Sequence, residues 1–216
     1  MNTELTGKHI GLFGGSFDPP HLGHVALVQA GLQMGLDEVW VFPALPVHRE
    51  LSGMANGRTR FDWLQQIFSD QPEVRVLDWE IVQNEPTPAV ATLRRFHQQF
   101  PEIVPWLMLG ADAWAGLESW QEYPAHIGLC NVAVFARSGI AADIVASHQG
   151  WQRLEQQDWR DFGGTGRWCY IPVDLPDISA TEIRHRTEQE RSLESLVPLV
   201  ICDEVEENYI PLKEKM

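Results

Sequence analysis

The sequence predicts an α/β fold, one doubly wound parallel sheet with helices on both faces and a small helical segment at its C-terminal end. Three observations carry that prediction. Short apolar runs alternate with stretches of helical period along most of the 216 residues, the pattern of parallel strands joined by crossover helices. The first run, His9 to Phe13, ends on the pair Gly14-Gly15 and leads directly into a helical stretch. A second helix start, Ser179-Ala180-Thr181-Glu182, follows the last strand-like run.

The elements follow in order. His9 to Phe13 suits a buried parallel strand. From Leu22 to Met34, apolar residues at Leu22, Val25, Ala26, Ala30 and Leu32 keep a helical period, and Gly35 supplies the stop. Val39 to Phe42 is a second strand, halted by Pro43. Residues 43–57, rich in Pro, Gly and polar groups, form a long loop, and loops of that length in compact domains are usually functional or disordered. A helix over Arg60 to Phe68 and a strand over Val74 to Leu77 come next. Thr87 reads as a cap with Pro88 at the first helical position, ahead of the apolar stripe Val90, Leu93, Phe96. Val104 to Leu109 and Val132 to Ala136 are further strands, Ile144 to about Asp158 a polar helix, and Trp168 to Ile171 a late strand. From Ile178 onward the pattern is helical. No repeat or linker interrupts the chain, so residues 1–216 read as a single domain.

Composition narrows the function. Sixteen basic residues against 30 acidic give a formal charge of −14, which argues against a broad basic surface for nucleic acid or an anionic membrane. The three cysteines, Cys130, Cys169 and Cys202, are far apart and form no CxxC pair, so buried free thiols are the expectation. The N-terminal residues carry no secretory pattern and no run approaches the ~20 apolar residues of a membrane span. A cytoplasmic protein is the simplest reading, as a monomer or homo-oligomer.

Chemistry concentrates in GLFGGSFDPPHLGH, residues 11–24. A plain Gly-Gly turn with exposed histidines leaves too many unusual choices unexplained at one junction. A metal site would need a third ligand from Asp18, Asp112 or His48 beside His21 and His24, and the HExxH pattern is absent. A phosphate cradle uses every part. Gly14 and Gly15 let backbone N–H groups approach an anion, and the following helix directs its free N–H groups at the same place. Two imidazoles one turn apart can donate to phosphate oxygens and, when protonated, neutralise developing charge. The P-loop pattern GxxxxGK[ST] is missing, as are GxGxxG and an acidic end to the second strand, which argues against a resident dinucleotide. Ser179 and Glu182 have the spacing of a capping box. A helix so capped is a second anion site, with Arg184 on its first turn.

GGSFDPPHLGH resembles the GG[ST]F[DN]PxHxGH signature of the HxGH nucleotidyltransferases, and within them the bacterial nicotinate mononucleotide adenylyltransferases. FPALPVHRE is similar to that family's loop ending in PPH[KR], GADAWAGLESW to its GxDxxxxLxxW segment, and ISATEIR to its ISSTxIR segment. The resemblance covers most of the chain and implies a Rossmann-like nucleotidyltransferase fold and, in NAD biosynthesis, transfer of AMP from ATP to the 5′-phosphate of nicotinate mononucleotide, giving nicotinate adenine dinucleotide and pyrophosphate. It also implies the roles of residues. His21 and His24 would be catalytic. Gly14, Gly15, Ser16, Phe17, Gly110, Asp112, Ser179, Thr181 and Arg184 would hold ATP, with Asp112 on a ribose hydroxyl. His48, Arg49, Thr87, Trp120 and Arg137 would receive the acceptor, with Trp120 stacked on the pyridine. Mg²⁺ would accompany ATP, held mainly by phosphate and water. The chain departs from the family at Thr87-Pro88-Ala89, where Ser-Tyr-Thr is usual. Proline removes a backbone donor and alanine a hydroxyl, which leaves open an acid or an amide on the acceptor's ring. Another phosphate acceptor, or a non-catalytic nucleotide-binding relative, is the alternative.

Overall fold

The computed structural model describes residues 5–45, 53–82, 86–137 and 147–210. Seven strands form one parallel sheet: β1 (Ile10–Gly15), β2 (Glu38–Pro43), β3 (Val74–Val76), β4 (Trp106–Gly110), β5 (Asn131–Arg137), β6 (Gln152–Leu154) and β7 (Arg167–Val173). Their order is β3-β2-β1-β4-β5-β7-β6, and every pairing is parallel. The helices are α1 (Leu22–Met34), α2 (Gly57–Ile67), α3 (Ala89–Gln99), α4 (Ala111–Ala115), α5 (Ala180–Glu188) and α6 (Cys202–Tyr209).

Strand alternation sorts side chains onto the two faces. Phe13, Val39, Val41, Met108 and Phe135 meet Leu27 and Val28 of α1 and Leu64 of α2. Leu12, Trp40, Phe42, Leu107 and Val134 meet Leu93 and Phe96 of α3 and Trp114 of α4. Both faces are therefore covered, as runs such as EVWVFP require. A third cluster joins Trp63 of α2 to Ile183 of α5, Leu193, Val197 and Val205 of α6. It packs the C-terminal helices against the first half of the chain.

Three sequence expectations change. The glycine pair belongs to β1 itself, with Gly14 opposite Phe42 and Gly15 opposite Pro43. Pro88 is the cap of α3 rather than its first helical residue, so Thr87 lies one position outside. The helix expected over residues 144–158 does not hold in its described part. Gln152–Leu154 pairs instead with β7, Arg153 opposite Trp168. Gly150 has φ +90°, a left-handed conformation that breaks a helix there, and Trp151 is buried. Tertiary pairing has overridden a polar, helix-like composition. No helix among the described residues is long and apolar enough to cross a membrane.

Candidate active site

β1 and β4 are neighbours from which the chain winds in opposite directions. In such sheets the crevice outside their carboxyl ends binds ligands. Gly14 and Gly15 end β1 and Gly110 ends β4, so the sheet itself brings two of the expected segments to one cleft. A Cβ at Gly14 would meet nothing within 4 Å. The strand backbone there is open to a ligand.

His21 caps α1, and its imidazole stacks on that of His24 with ring centroids 3.7 Å apart. The His21 backbone N–H donates to His24 Nδ1 at 3.1 Å. That bond fixes the neutral His24 tautomer, because Nδ1 accepts and Nε2 must carry the proton. Gly23 makes the stack possible: a Cβ there would stand 3.0 Å from Cε1 and Nδ1 of His21. Phe17, buried at φ +47°, presses edge-on against His24 at 4.8 Å. Its side chain supports the imidazole, and only its backbone is left to face a phosphate. A bulky residue is strained in that backbone region, and the strain sits in the loop that aims His24.

Burial lowers the His21 pKa to about 4. Burial, and then the neighbouring His21, hold His24 well below the usual histidine range. Without a ligand both rings are therefore neutral donors at pH 7, where the sequence also allowed imidazolium. The helix N-terminus is partly occupied as well. The Leu22 N–H donates to the Leu196 carbonyl at 2.9 Å, and that of His24 to the His21 carbonyl at 2.9 Å.

The late motif arrives at the same cleft. Ser179 Oγ accepts from the Glu182 N–H at 3.1 Å and caps α5. The Glu182 carboxylate does not complete a box but accepts from Arg186 Nε at 2.7 Å. Arg184 donates through Nη2 to Thr181 Oγ1 at 3.2 Å and through Nη1 to the Asp18 carbonyl and carboxylate. Asp18, fully buried, is the knot of this region. Its Oδ1 also accepts from the Ala55 N–H at 2.9 Å and from the Tyr209 hydroxyl at 2.6 Å. Buried Arg60 adds a second tie, donating to the carbonyls of Ser16, Ala44 and Ala55. Asp112 lies exposed on the first turn of α4. Among the described residues no three His, Cys, Asp or Glu side chains group to hold a metal.

A cavity of about 230 Å³ runs from Gly14 and Gly15 to Thr87, Pro88, Trp120 and His126. Expected phosphate and ring ends are thus continuous. Glu80 also lines it. Burial raises the Glu80 pKa to about 7, opposed by the Thr92 hydroxyl that donates to Oε1 at 2.5 Å. His48 and Arg49 lie outside the described residues, and Arg137 is described by its backbone alone. Sequence reasoning had weighed Asp18 only as a metal ligand and missed Arg60, Glu80, His126 and Tyr209. Asp18 and Arg60 carried a signal, charged residues beside motif segments, whereas nothing local marks Tyr209 or His126.

A switch-point cleft with a glycine-ended strand and two stacked imidazoles at the next helix defines a nucleotidyltransferase. The cytidylyltransferase-like family model matches residues 12–186. The chain is 32% identical over 203 residues to a Chromobacterium violaceum protein named "Probable nicotinate-nucleotide adenylyltransferase", covering 89% of this chain and 94% of that one. A Thermotoga petrophila protein of the same name is 30% identical over 94% of this chain and 98% of its own. The structure titled Plasmodium falciparum nicotinic acid mononucleotide adenylyltransferase complexed with NaAD shares the fold, with TM-score 0.67 and 18% identity over 91% of this chain and 93% of that one. The chain belongs to the nicotinate-nucleotide adenylyltransferase family within the cytidylyltransferase-like nucleotidyltransferases.

Proposed function

We propose that this protein transfers AMP from ATP to the 5′-phosphate of nicotinate mononucleotide, giving nicotinate adenine dinucleotide and pyrophosphate. The observation that carries the reading is the stacked His21–His24 pair opening beside Gly14 and Gly15, with Arg184 bound to the same loop through Asp18. The family membership supports the choice of acceptor.

The chemistry asks little covalent work of the protein. The acceptor phosphate is already ionised at neutral pH and attacks the α-phosphorus in line, so no general base is needed. Catalysis is positioning and charge stabilisation. His24 offers its Nε2–H to the α-phosphate or bridging oxygen, and His21 lies against it. Gly15, Ser16 and Phe17 contribute backbone groups, while Ser179, Thr181 and Arg184 take the β- and γ-phosphates. Asp112 accepts a ribose hydroxyl beside Gly110. Trp120 stacks on the pyridine, with Thr87 at the edge of that pocket and His48, Arg49 and Arg137 toward the acceptor. Mg²⁺, held by the phosphates of ATP and by water, would shield the charge of the triphosphate. A cytoplasmic setting completes the reading.

The test is direct. Incubation with Mg-ATP and each pyridine mononucleotide should yield a dinucleotide identified by mass, with stoichiometric pyrophosphate. The amide acceptor is the second reading, favoured by the Pro88-Ala89 wall, and the kcat/KM values of acid and amide decide between them. ATP cleavage without dinucleotide would refute both.

A further inference from the structure

The cavity's far end holds a histidine that no part of the phosphate chemistry uses. His126 is 1% exposed, and neither Nδ1 nor Nε2 has a hydrogen-bond partner. It lies edge-on to Trp120 at 5.9 Å and faces Tyr123 at 6.5 Å. Other histidines in this protein show what a merely structural imidazole looks like. His148 is bonded at both nitrogens, to Glu118 at 3.0 Å and the Trp114 carbonyl at 2.7 Å, and His97 Nε2 meets the Leu129 carbonyl at 2.6 Å. A buried ring with two unmet polar atoms is costly, and such exceptions call for a partner. The nearby charges do not supply it: Arg94 and Glu122 pair with each other at 2.6 Å.

The cavity suggests that partner. The cavity leads from Gly14 and Gly15 to Trp120, so an acceptor whose phosphate sits at the glycines would extend its ring toward Trp120, and His126 stands beside that indole. The wall at Pro88 and Ala89 offers neither a proline N–H nor a hydroxyl. A carboxylate is an acceptor only and needs N–H or O–H groups. We propose that His126 is a specificity-determining residue, donating a ring N–H to the carboxylate on the acceptor's pyridine. The assignment rests on the adenylyl-transfer reading and deepens it: an imidazole from beyond Trp120 takes over where Thr87-Pro88-Ala89 has lost donors.

His126→Phe keeps an aromatic ring against Tyr123 and removes both nitrogens, whereas His126→Gln keeps an N–H. With Mg-ATP, the acid-to-amide ratio of kcat/KM should fall at least tenfold in His126→Phe, through KM for the acid, and recover in part in His126→Gln. A ratio unchanged within twofold overturns the proposal while adenylyl transfer stands. A wild-type protein that makes no dinucleotide from either acceptor overturns the adenylyl-transfer reading and the proposal with it. Should the phenylalanine variant fail to fold, wild-type protein carrying ¹⁵N-labelled imidazoles gives the answer. Nicotinate mononucleotide should shift the His126 ring resonances, assigned through the glutamine variant, and unshifted resonances overturn the proposal.

Discussion

Glu80→Gln turns a buried carboxyl into its neutral isostere and so removes a pH-dependent cost of burial. Glu80 is 5% exposed and titrates at about 7 rather than at the reference 4.5 because burial penalises its charged form. The folded state therefore holds this proton more tightly than the unfolded state does. Its contribution is fully present below the unfolded value and is lost as pH rises toward the folded one. A displacement of about 2.5 units corresponds to about 3.4 kcal/mol once pH exceeds both values. At about pH 5 the same linkage costs only ~0.8 kcal/mol. Glutamine never pays this cost and can still accept from Thr92, so the variant's stability relative to wild type should grow by about 2.5 kcal/mol between pH 5 and 8.5. Urea unfolding of both proteins at the two pH values measures it. A difference that stays constant with pH would refute the assignment of a raised, buried carboxyl.

Three further outcomes follow from the cleft. His24→Ala removes one transition-state donor and should lower turnover ~100- to 1000-fold, with the far-UV spectrum unchanged. Gly23→Ala adds a methyl 3.0 Å from the His21 ring and should cut kcat at least tenfold, while the melting temperature holds or rises because alanine favours the helix by ~1 kcal/mol. Tyr209→Phe deletes the hydroxyl on the Asp18 carboxylate. It should cost about 1.5–3 kcal/mol in urea unfolding and raise KM for ATP more than it lowers kcat, since Arg184 shares that carboxylate.

Much of the architecture was legible because period and punctuation agreed. Leu22 to Met34 starts and stops where its apolar spacing and Gly35 indicate, and Ser179 caps α5 by the bond its position implies. The segment around Trp151 misled for a physical reason. Its residues favour a helix locally, but β7 offers an edge to pair with, and Gly150 was the one local warning. In the site, contiguous motifs delivered the glycine pair that ends β1, the stacked imidazoles and the Ser179 cap. What escaped was whatever depends on burial or on distant partners. The state of Glu80 is set by its enclosure in the cavity beside Thr92. The orphaned nitrogens of His126 are visible only once Trp120 and Tyr123 surround them.

Three partners of Asp18 lie 37, 166 and 191 residues further along the chain, at Ala55, Arg184 and Tyr209. Synthesis from the amino end delivers them in that order. A nascent chain that has already laid down β1 to β5 can offer this carboxylate the Ala55 amide but neither the guanidinium nor the phenol. The last helix thus acts as a latch that is made last. Fixing of Arg184 beside the loop after β1 belongs to late synthesis, not to the early folding of the first half of the chain.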